Sequence, residues 1–311
     1  MAILNYFRYW RLKFWATIFR FVSGRRHRGY LEPAPGTPVN RKFLAIPSRD
    51  QSRTIGAWLY YPPDCADQTL TGSSPVLINW HGSGFIVPSL GLDHKFCHDI
   101  ARKNGILVLD VDYRKSPENP FPAALEDAQD VFSWVENNPQ LFDLTRVAVS
   151  GFSAGGTLAL VAASSLRSEH PKLDIKAVVV FYPCVDLTID PQTKTVPNPI
   201  RPIRPWMQQV FWDAYAPDPQ TREDPRISPS YAEPVLFPPN VTFITCSGDV
   251  LEPEGRALAK KLDDGTRKVN HVSLTNVSHG FDTWCNPETP EWEQKERGYQ
   301  VASDDLKNAL K

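Results

Sequence analysis

A serine flanked by small residues carries the strongest chemical signal in the sequence. Ser153 lies in the motif GFSAGG at residues 151–156, which follows a predicted strand at 146–150 and opens a predicted helix. A nucleophile on a sharp strand–turn–helix elbow requires small residues two positions away, and Gly151 and Gly155 meet this requirement. The N-terminus of the helix would favour the negative charge that develops during acyl transfer. The alternative is a glycine-rich turn in which Ser153 only caps the helix.

A second glycine-rich turn, HGSGF at residues 81–85, follows the predicted strand at 76–80. It begins with His81 and Gly82 and matches the HGGG type of oxyanion loop, with Ser83 in place of one glycine. Glycine lets backbone N–H groups approach a substrate oxygen closely. An oxyanion needs such donors at about 3 Å, and the candidates are the backbone N–H groups of Ser83, Gly84 and Ala154. The alternatives are a turn that cradles a phosphate and a plain loop.

An acid and a base that could activate Ser153 each follow a predicted strand. Asp249 comes after the strand at 241–246, and His279 comes after the strand at 269–274. Because the carboxyl ends of parallel strands lie at one edge of a sheet, we expect these side chains to converge on Ser153. Ser153 would then attack an acyl carbon, His279 would transfer the proton, and Asp249 would orient and stabilise the imidazolium.

Rival residues leave this assignment open. Glu252 or Glu254 could supply the carboxylate in place of Asp249, which could itself be a turn residue or a helix cap. His271 is a rival base, although it lies inside a predicted strand, where a side chain is more often packed or exposed. The joint presence of two turn motifs, an acid and a base still favours acyl-transfer chemistry at a serine.

The elements that must position these residues alternate along the chain from residue 41 onward. Continuous apolar runs such as 106–109 and 177–180 are typical of strands covered on both faces. Strands that alternate with helices predict an α/β fold with a mostly parallel central sheet flanked by helices. The predicted strands are 41–46, 54–60, 76–80, 106–111, 146–150, 177–181, 241–246 and 269–274, and the predicted helices are 122–137, 154–169 and 254–263. The first two strands, with no helix between them, should form an antiparallel edge.

Proline interrupts this alternation in the middle of the chain. Thirteen of the 29 prolines lie between Pro183 and Pro239, too many for regular strand–helix units. We interpret residues at about 184–235 as a cap insertion, in which 205–215 forms a helix. Aromatic residues here and beside the motifs are candidates for an apolar substrate pocket, although aromatics at helical spacing are more often core. These candidates are Phe85, Trp206, Phe211, Trp212 and Phe281.

The first 40 residues are predicted to form a helical cap segment in front of a catalytic domain at 41–311. Basic and aromatic residues alternate here, and no acidic residue precedes Glu32. The uncharged runs are far shorter than the roughly 20 residues that cross a bilayer. The apolar face of this helix either packs over the protein's own pocket, which we favour, or residues 1–22 lie on an anionic membrane surface.

Composition restricts the class of protein. The 311 residues are 41% hydrophobic and carry a net charge of −1, which fits a soluble globular protein and disfavours a nucleic-acid binder. The five cysteines are scattered without a CxxC pair, so neither a disulfide framework nor a structural metal site is expected. Reduced thiols favour a cytoplasmic location. We expect neither a metal nor a cofactor.

Taken together, the motifs resemble those of the hormone-sensitive-lipase-like, or fold-3, branch of the α/β-hydrolases. The resemblance rests on HGSGF at 81–85, DYR at 112–114, PFPAA at 120–124, GFSAGG at 151–156, GD at 248–249 and SHGF at 278–281, and it extends from about residue 55 to the C-terminus. It implies an α/β-hydrolase fold, the triad order Ser–Asp–His, and a cap formed jointly by the N-terminal segment and the insertion. Two positions depart from the family pattern. Ser83 replaces the middle glycine of the loop, and Phe152 stands where an acidic residue is frequent.

These observations predict a serine esterase that cleaves carboxylic esters of short to medium acyl length, or other small-molecule esters, through an acyl-enzyme. An acyltransferase, a thioesterase or a lactonase would use the same triad. A ligand receptor without activity is a hypothesis from another class, because some plant hormone receptors resemble this branch but lack the histidine. The presence of His279 argues against it. A homodimer and a contact with a membrane surface are further hypotheses about partners.

Overall fold

Eight strands and seven α helices are found in the described part of the chain, which comprises residues 2–27, 30–33, 39–63, 65 and 73–311 of a computed structural model, with side chains from residue 6 onward. The strands are β1 (Arg41–Pro47), β2 (Thr54–Tyr60), β3 (Ser74–Trp80), β4 (Leu107–Val111), β5 (Phe142–Phe152), β6 (Ile175–Phe181), β7 (Asn240–Cys246) and β8 (Lys268–Leu274). The helices are α1 (Ala2–His27), α2 (His94–Asn104), α3 (Ala123–Glu136), α4 (Ala154–Ser164), α5 (Pro205–Tyr215), α6 (Glu252–Leu262) and α7 (Pro290–Ala309).

The strands form one sheet in the order β1-β2-β4-β3-β5-β6-β7-β8. Strands β3 to β8 pair in parallel, whereas β1 and β2 pair antiparallel, as do β2 and β4. All five residues of β4 are buried, as expected of a strand covered on both faces. The predictions of a mostly parallel α/β sheet and of an antiparallel edge are therefore confirmed.

Two helices, α2 and α7, lie where sequence analysis predicts none. Seven of the eleven residues of α2 are polar, and its apolar residues occupy one narrow stripe that includes Phe96 and Ile100. Helix α7 begins after Thr289, whose hydroxyl accepts a hydrogen bond from the N–H of Trp292. The Thr289 cap and the spacing of the buried residues are the signals in the sequence from which these helices could have been predicted. Both helices cover the sheet face opposite α3 and α4. The predicted end of α4 at residue 169 is wrong, because the helix ends at Ser164.

Helix α1 packs by one side against α5 and the loop that follows β3. Leu12, Ala16 and Phe19 form a buried cluster with residues that include Ile86 of the loop and Val210 of α5. Ion pairs at its margins join Arg20 to Glu118 and Arg8 to Asp213. Residues 1, 28–29 and 34–38 of the predicted 1–40 segment lie outside the described residues. Within the described residues, no helix combines the length and the apolar character needed to cross a membrane.

Candidate active site

Ser153 lies on a sharp turn between the end of β5 and the start of α4. Its backbone has φ 51° and ψ −120°, which is unusual for a residue with a side chain and typical of a strained elbow. A Cβ at Gly151 would lie 2.2 Å from the carbonyl oxygen of Gly155, and a Cβ at Gly155 would lie 2.0 Å from that of Trp80. The two glycines are therefore required by close backbone approach, and the turn presents the hydroxyl of Ser153 to a cavity.

His279 stands between Ser153 and Asp249. Its Nε2 lies 2.8 Å from the Oγ of Ser153, and its Nδ1 lies 2.6 Å from the Oδ2 of Asp249. Asp249 is fully buried, and its Oδ1 accepts a hydrogen bond from the backbone N–H of Leu251. An acceptor at Nδ1 favours the tautomer whose Nε2 can accept the serine proton.

The rival acids and the rival base lie in other contacts. Glu254 pairs with Lys194 and accepts a hydrogen bond from the backbone of Val185. Glu252 faces Arg256 at 3.5 Å on its own helix. His271 bonds through Nε2 to the hydroxyl of Thr245 at 2.9 Å. The geometry thus favours Asp249 and His279 as the partners of Ser153.

The loop after β3 is held by the side chain that departs from the family pattern. The Oγ of Ser83 accepts a hydrogen bond from the N–H of Phe85 at 2.8 Å and donates to the hydroxyl of Tyr113 at 2.6 Å, which in turn donates to the carbonyl of His81. Gly84 adopts φ 57° against the ring of Phe211. These hydrogen bonds connect the loop to Tyr113, so Ser83 does more than replace a glycine.

The three candidate oxyanion donors carry backbone N–H groups at this turn and at the start of α4. For Ser83, Gly84 and Ala154, the described residues provide no protein acceptor for these N–H groups. Gly82 lies beside the serine, since a Cβ there would be 3.4 Å from the Cβ of Ser153. His81 is fully buried behind the loop, with its Nε2 3.1 Å from Asp112. The arrangement can receive a negatively charged oxygen next to the serine.

The serine faces an apolar cavity of about 280 Å³. Three of the predicted pocket residues line it, namely Phe85, Phe211 and Trp212. Two do not, and the prediction is wrong for them. Trp206 lies about 140° around α5 from Phe211 and packs on Trp15 of α1, 4.8 Å between ring centroids. Phe281 is buried in the core, because Gly280 turns the chain with φ 65° just before it.

Further lining residues come from segments that carry no site motif. Helix α1 contributes Ser23 and His27, and other segments contribute Tyr182, Trp284 and Asp93. Burial, followed by the charge of Arg26, lowers the pKa of His27 to about 4. No local pattern could have assigned these residues to the cavity, since only tertiary packing brings them there.

Phe152, the second departure from the family pattern, lies in an aromatic cluster beneath the elbow. Its ring stacks on Phe181 with centroids 4.4 Å apart and an angle of 8° between the planes, and the edge of Phe96 approaches it at 5.2 Å. Phe152 is 1% exposed. Apolar packing therefore supports the turn at a position where the family frequently has an acidic side chain.

Two buried carboxyl groups lie close to the site. The amide Nδ2 of Asn79 donates to Asp110 at 2.9 Å and approaches Asp93 at 3.3 Å, while Ser150 donates to the Oδ1 of Asn79. Burial raises the pKa of Asp110 to about 7. Burial and then the charge of Asp110 raise the pKa of Asp93 well above its ordinary value. These acids bear on the pH dependence of stability, and Asp93 also reaches the cavity wall.

The fold and this site define an α/β-hydrolase. A family model described as the alpha/beta hydrolase fold matches residues 77–283, more than half of the chain. The chain belongs to the hormone-sensitive-lipase-like, or fold-3, family of α/β-hydrolases.

Similar proteins are named esterases. Esterase LipI of Mycobacterium tuberculosis is 30% identical over 262 residues, which cover 82% of this chain and 80% of the relative. Ethyl acetate hydrolase of Pseudomonas putida is 29% identical over 240 residues, 76% of this chain and 74% of the relative. The structure of EstE1, a thermostable carboxylesterase cloned from a metagenomic library, superposes with a TM-score of 0.80 at 26% identity and covers 95% of this chain and 98% of the other.

Proposed function

We propose that this protein hydrolyses carboxylic esters of small molecules through an acyl-enzyme formed on Ser153. The enzyme class, a carboxylic ester hydrolase, follows from the family. The single observation that carries the assignment of residues is the position of His279, which lies 2.8 Å from the Ser153 hydroxyl and 2.6 Å from the Asp249 carboxylate. A plain helix cap at Ser153 would need no such partner.

In the proposed reaction, His279 Nε2 takes the Ser153 proton as Oγ attacks the ester carbonyl carbon. The carbonyl oxygen becomes an oxyanion, which the backbone N–H groups of Ser83, Gly84 and Ala154 stabilise. The C–O bond to the alcohol breaks, and the imidazolium gives its proton to the leaving alkoxide. A water molecule then repeats these steps on the acyl-enzyme, which releases the carboxylic acid and restores the serine. Asp249 holds the imidazole in the required tautomer throughout.

The size and lining of the cavity support a substrate of modest size. A cavity of about 280 Å³ walled by Phe85, Phe211 and Trp212 suits an apolar acyl or alcohol group and favours short to medium esters. A homodimer stays a prediction.

Replacement of the nucleophile tests the proposal. We expect Ser153→Ala to lower kcat for p-nitrophenyl butyrate by about 10⁶-fold and to abolish labelling by a fluorophosphonate probe. Ser165→Ala, at the other end of the same helix α4, is the matched control and should change neither readout. Normal hydrolysis by the Ser153→Ala protein, with its fold intact by circular dichroism, would contradict the assignment of Ser153 as the nucleophile.

A further inference from the structure

The side of α1 that points away from the protein body carries a row of large aromatic residues. The side chains of Phe7, Phe14 and Phe21 are 67%, 59% and 59% exposed, and Trp10 between them is 51% exposed. Their spacing of three, four and seven residues places them on one face of the helix. We call these four residues the outer face of α1. Monomeric soluble proteins rarely expose contiguous aromatic surface of this kind, which indicates that another molecule covers the outer face of α1.

The opposite side of α1 packs against the body of the protein. Leu12, Ala16 and Phe19 are buried in the cluster shared with α5 and the loop after β3. The packing hypothesis and the membrane hypothesis therefore concern different faces of one helix. Packing of the inner face leaves the outer face uncovered.

Charge distinguishes the possible occupants of the outer face. Residues 1–31 contain seven lysine and arginine residues and no acidic one. The basic residues on the inner margins are paired, as Arg20 is with Glu118. Beside the outer face, the side chain of Arg11 is 63% exposed with a single distant partner at 3.7 Å, and Arg25 lies over the ring of Phe21 at 4.3 Å. A second copy of this face would bring like charges together, whereas an anionic surface would meet opposite charge.

We propose that α1 docks on the surface of an anionic lipid bilayer through its outer face, with the helix lying in the plane of the interface. The four aromatic rings enter the boundary between headgroups and acyl chains, and Arg11 and Arg25 contact the anionic headgroups. Because Ser23 and His27 of the same helix line the cavity, the candidate active site lies directly behind the docked helix. Docking depends only on the outer face of α1, so the proposal stands independently of the proposed hydrolase activity.

Vesicle flotation of the full-length protein tests the aromatic contribution. The probes are vesicles of phosphatidylcholine alone and of phosphatidylcholine mixed with phosphatidylglycerol. We expect binding to the mixed vesicles, and a loss of about tenfold or more in the partition coefficient for the double variant Trp10→Ser/Phe14→Ser. Phe43→Ser is the matched control, because Phe43 is 52% exposed on β1 and belongs to no such row. It should bind like the unchanged protein.

A second double variant and its control test the contribution of the basic residues to vesicle binding. We expect Arg11→Gln/Arg25→Gln to lower the partition coefficient by about tenfold on the mixed vesicles, and Arg102→Gln/Arg256→Gln, at side chains that are 51% and 61% exposed elsewhere, to leave it unchanged. Added salt should weaken binding, since it screens surface charge.

Two results would overturn the proposal. One is equal flotation of the outer-face variants and their controls. The other is a self-associated protein that dissociates in the Trp10→Ser/Phe14→Ser variant without any binding to vesicles, which would make the outer face a contact between copies. Hydrolysis of p-nitrophenyl butyrate without vesicles should be equal in all these variants, so a failure of docking is distinguishable from a failure of the proposed chemistry.

Discussion

At the scale of single residues, the proposed chemistry depends on which ring nitrogen of His279 carries the proton. The buried carboxylate of Asp249 accepts from Nδ1, and this leaves Nε2 as the acceptor beside Ser153. Amide substitution at Asp249 would keep the shape of the side chain while removing its charge and offering an N–H to Nδ1, which stabilises the wrong tautomer.

Asp249→Asn should therefore lower kcat/KM for p-nitrophenyl butyrate by about 10⁴-fold while thermal unfolding changes little. Steady-state kinetics at neutral pH measure this loss. Glu252→Gln is the control, because Glu252 follows closely in sequence but faces Arg256, and it should retain activity. If Asp249→Asn were fully active and Glu252→Gln were not, the triad carboxylate would have to be reassigned.

At the scale of elements, the sharp turn at Ser153 requires glycine where β3, β5 and α4 approach each other closely. Gly155, at the start of α4, lies against the end of β3, where an added Cβ would meet the backbone oxygen of Trp80 at 2.0 Å. The backbone cannot relieve this clash by a change of rotamer, as a flexible side chain could. The elements would have to separate, and the Ser153 hydroxyl would move with them.

We expect Gly155→Ala to lower kcat by about 100-fold or more, because a displacement of about 1 Å at the nucleophile is that costly, and to lower the melting temperature. Gly24→Ala is the matched glycine control. Nothing lies within 4 Å of a Cβ at Gly24 in helix α1, and alanine is favoured over glycine in helices by about 1 kcal/mol. Activity and circular dichroism melting of both variants decide the point; an active, equally stable Gly155→Ala protein would contradict it.

At the scale of the whole molecule, the buried acids Asp93 and Asp110 connect stability to pH. Folding raises the pKa of Asp110 to about 7 through burial, so the folded protein prefers the neutral acid. A group with a raised pKa contributes its stability fully below its unfolded value of about 3.9 and loses this contribution as pH rises to about 7. Burial and then the charge of Asp110 raise the pKa of Asp93, so a substitution that removes the charge of Asp110 also removes one cause of the shift at Asp93.

Asp110→Asn should consequently gain free energy of unfolding relative to the unchanged protein as pH rises from about 5 to about 8, on the order of a few kcal/mol. Urea unfolding at the two pH values measures the difference. Asp99→Asn, at a side chain of α2 that is 29% exposed, serves as the control for the change from carboxylate to amide. A constant difference between Asp110→Asn and the unchanged protein at both pH values would refute the linkage.

Local sequence determined the parts of this protein that depend on neighbouring residues. The elbow at Ser153, the turn at 81–85 and the positions of Asp249 and His279 after strands follow from strand patterns and glycine spacing, since short-range sterics govern sharp turns. The parallel sheet follows from alternation of strands and helices. These elements required no knowledge of distant contacts.

Only the tertiary structure decided what depends on packing between distant segments. It placed Asp249 beside His279 while Glu254 paired with Lys194, and it turned Trp206 and Phe281 away from the cavity. It also assigned the inner face of α1 to the protein core and left the outer face uncovered. A helix with apolar residues on more than one side has no local reason to prefer either, because the choice is made by the surface that it meets.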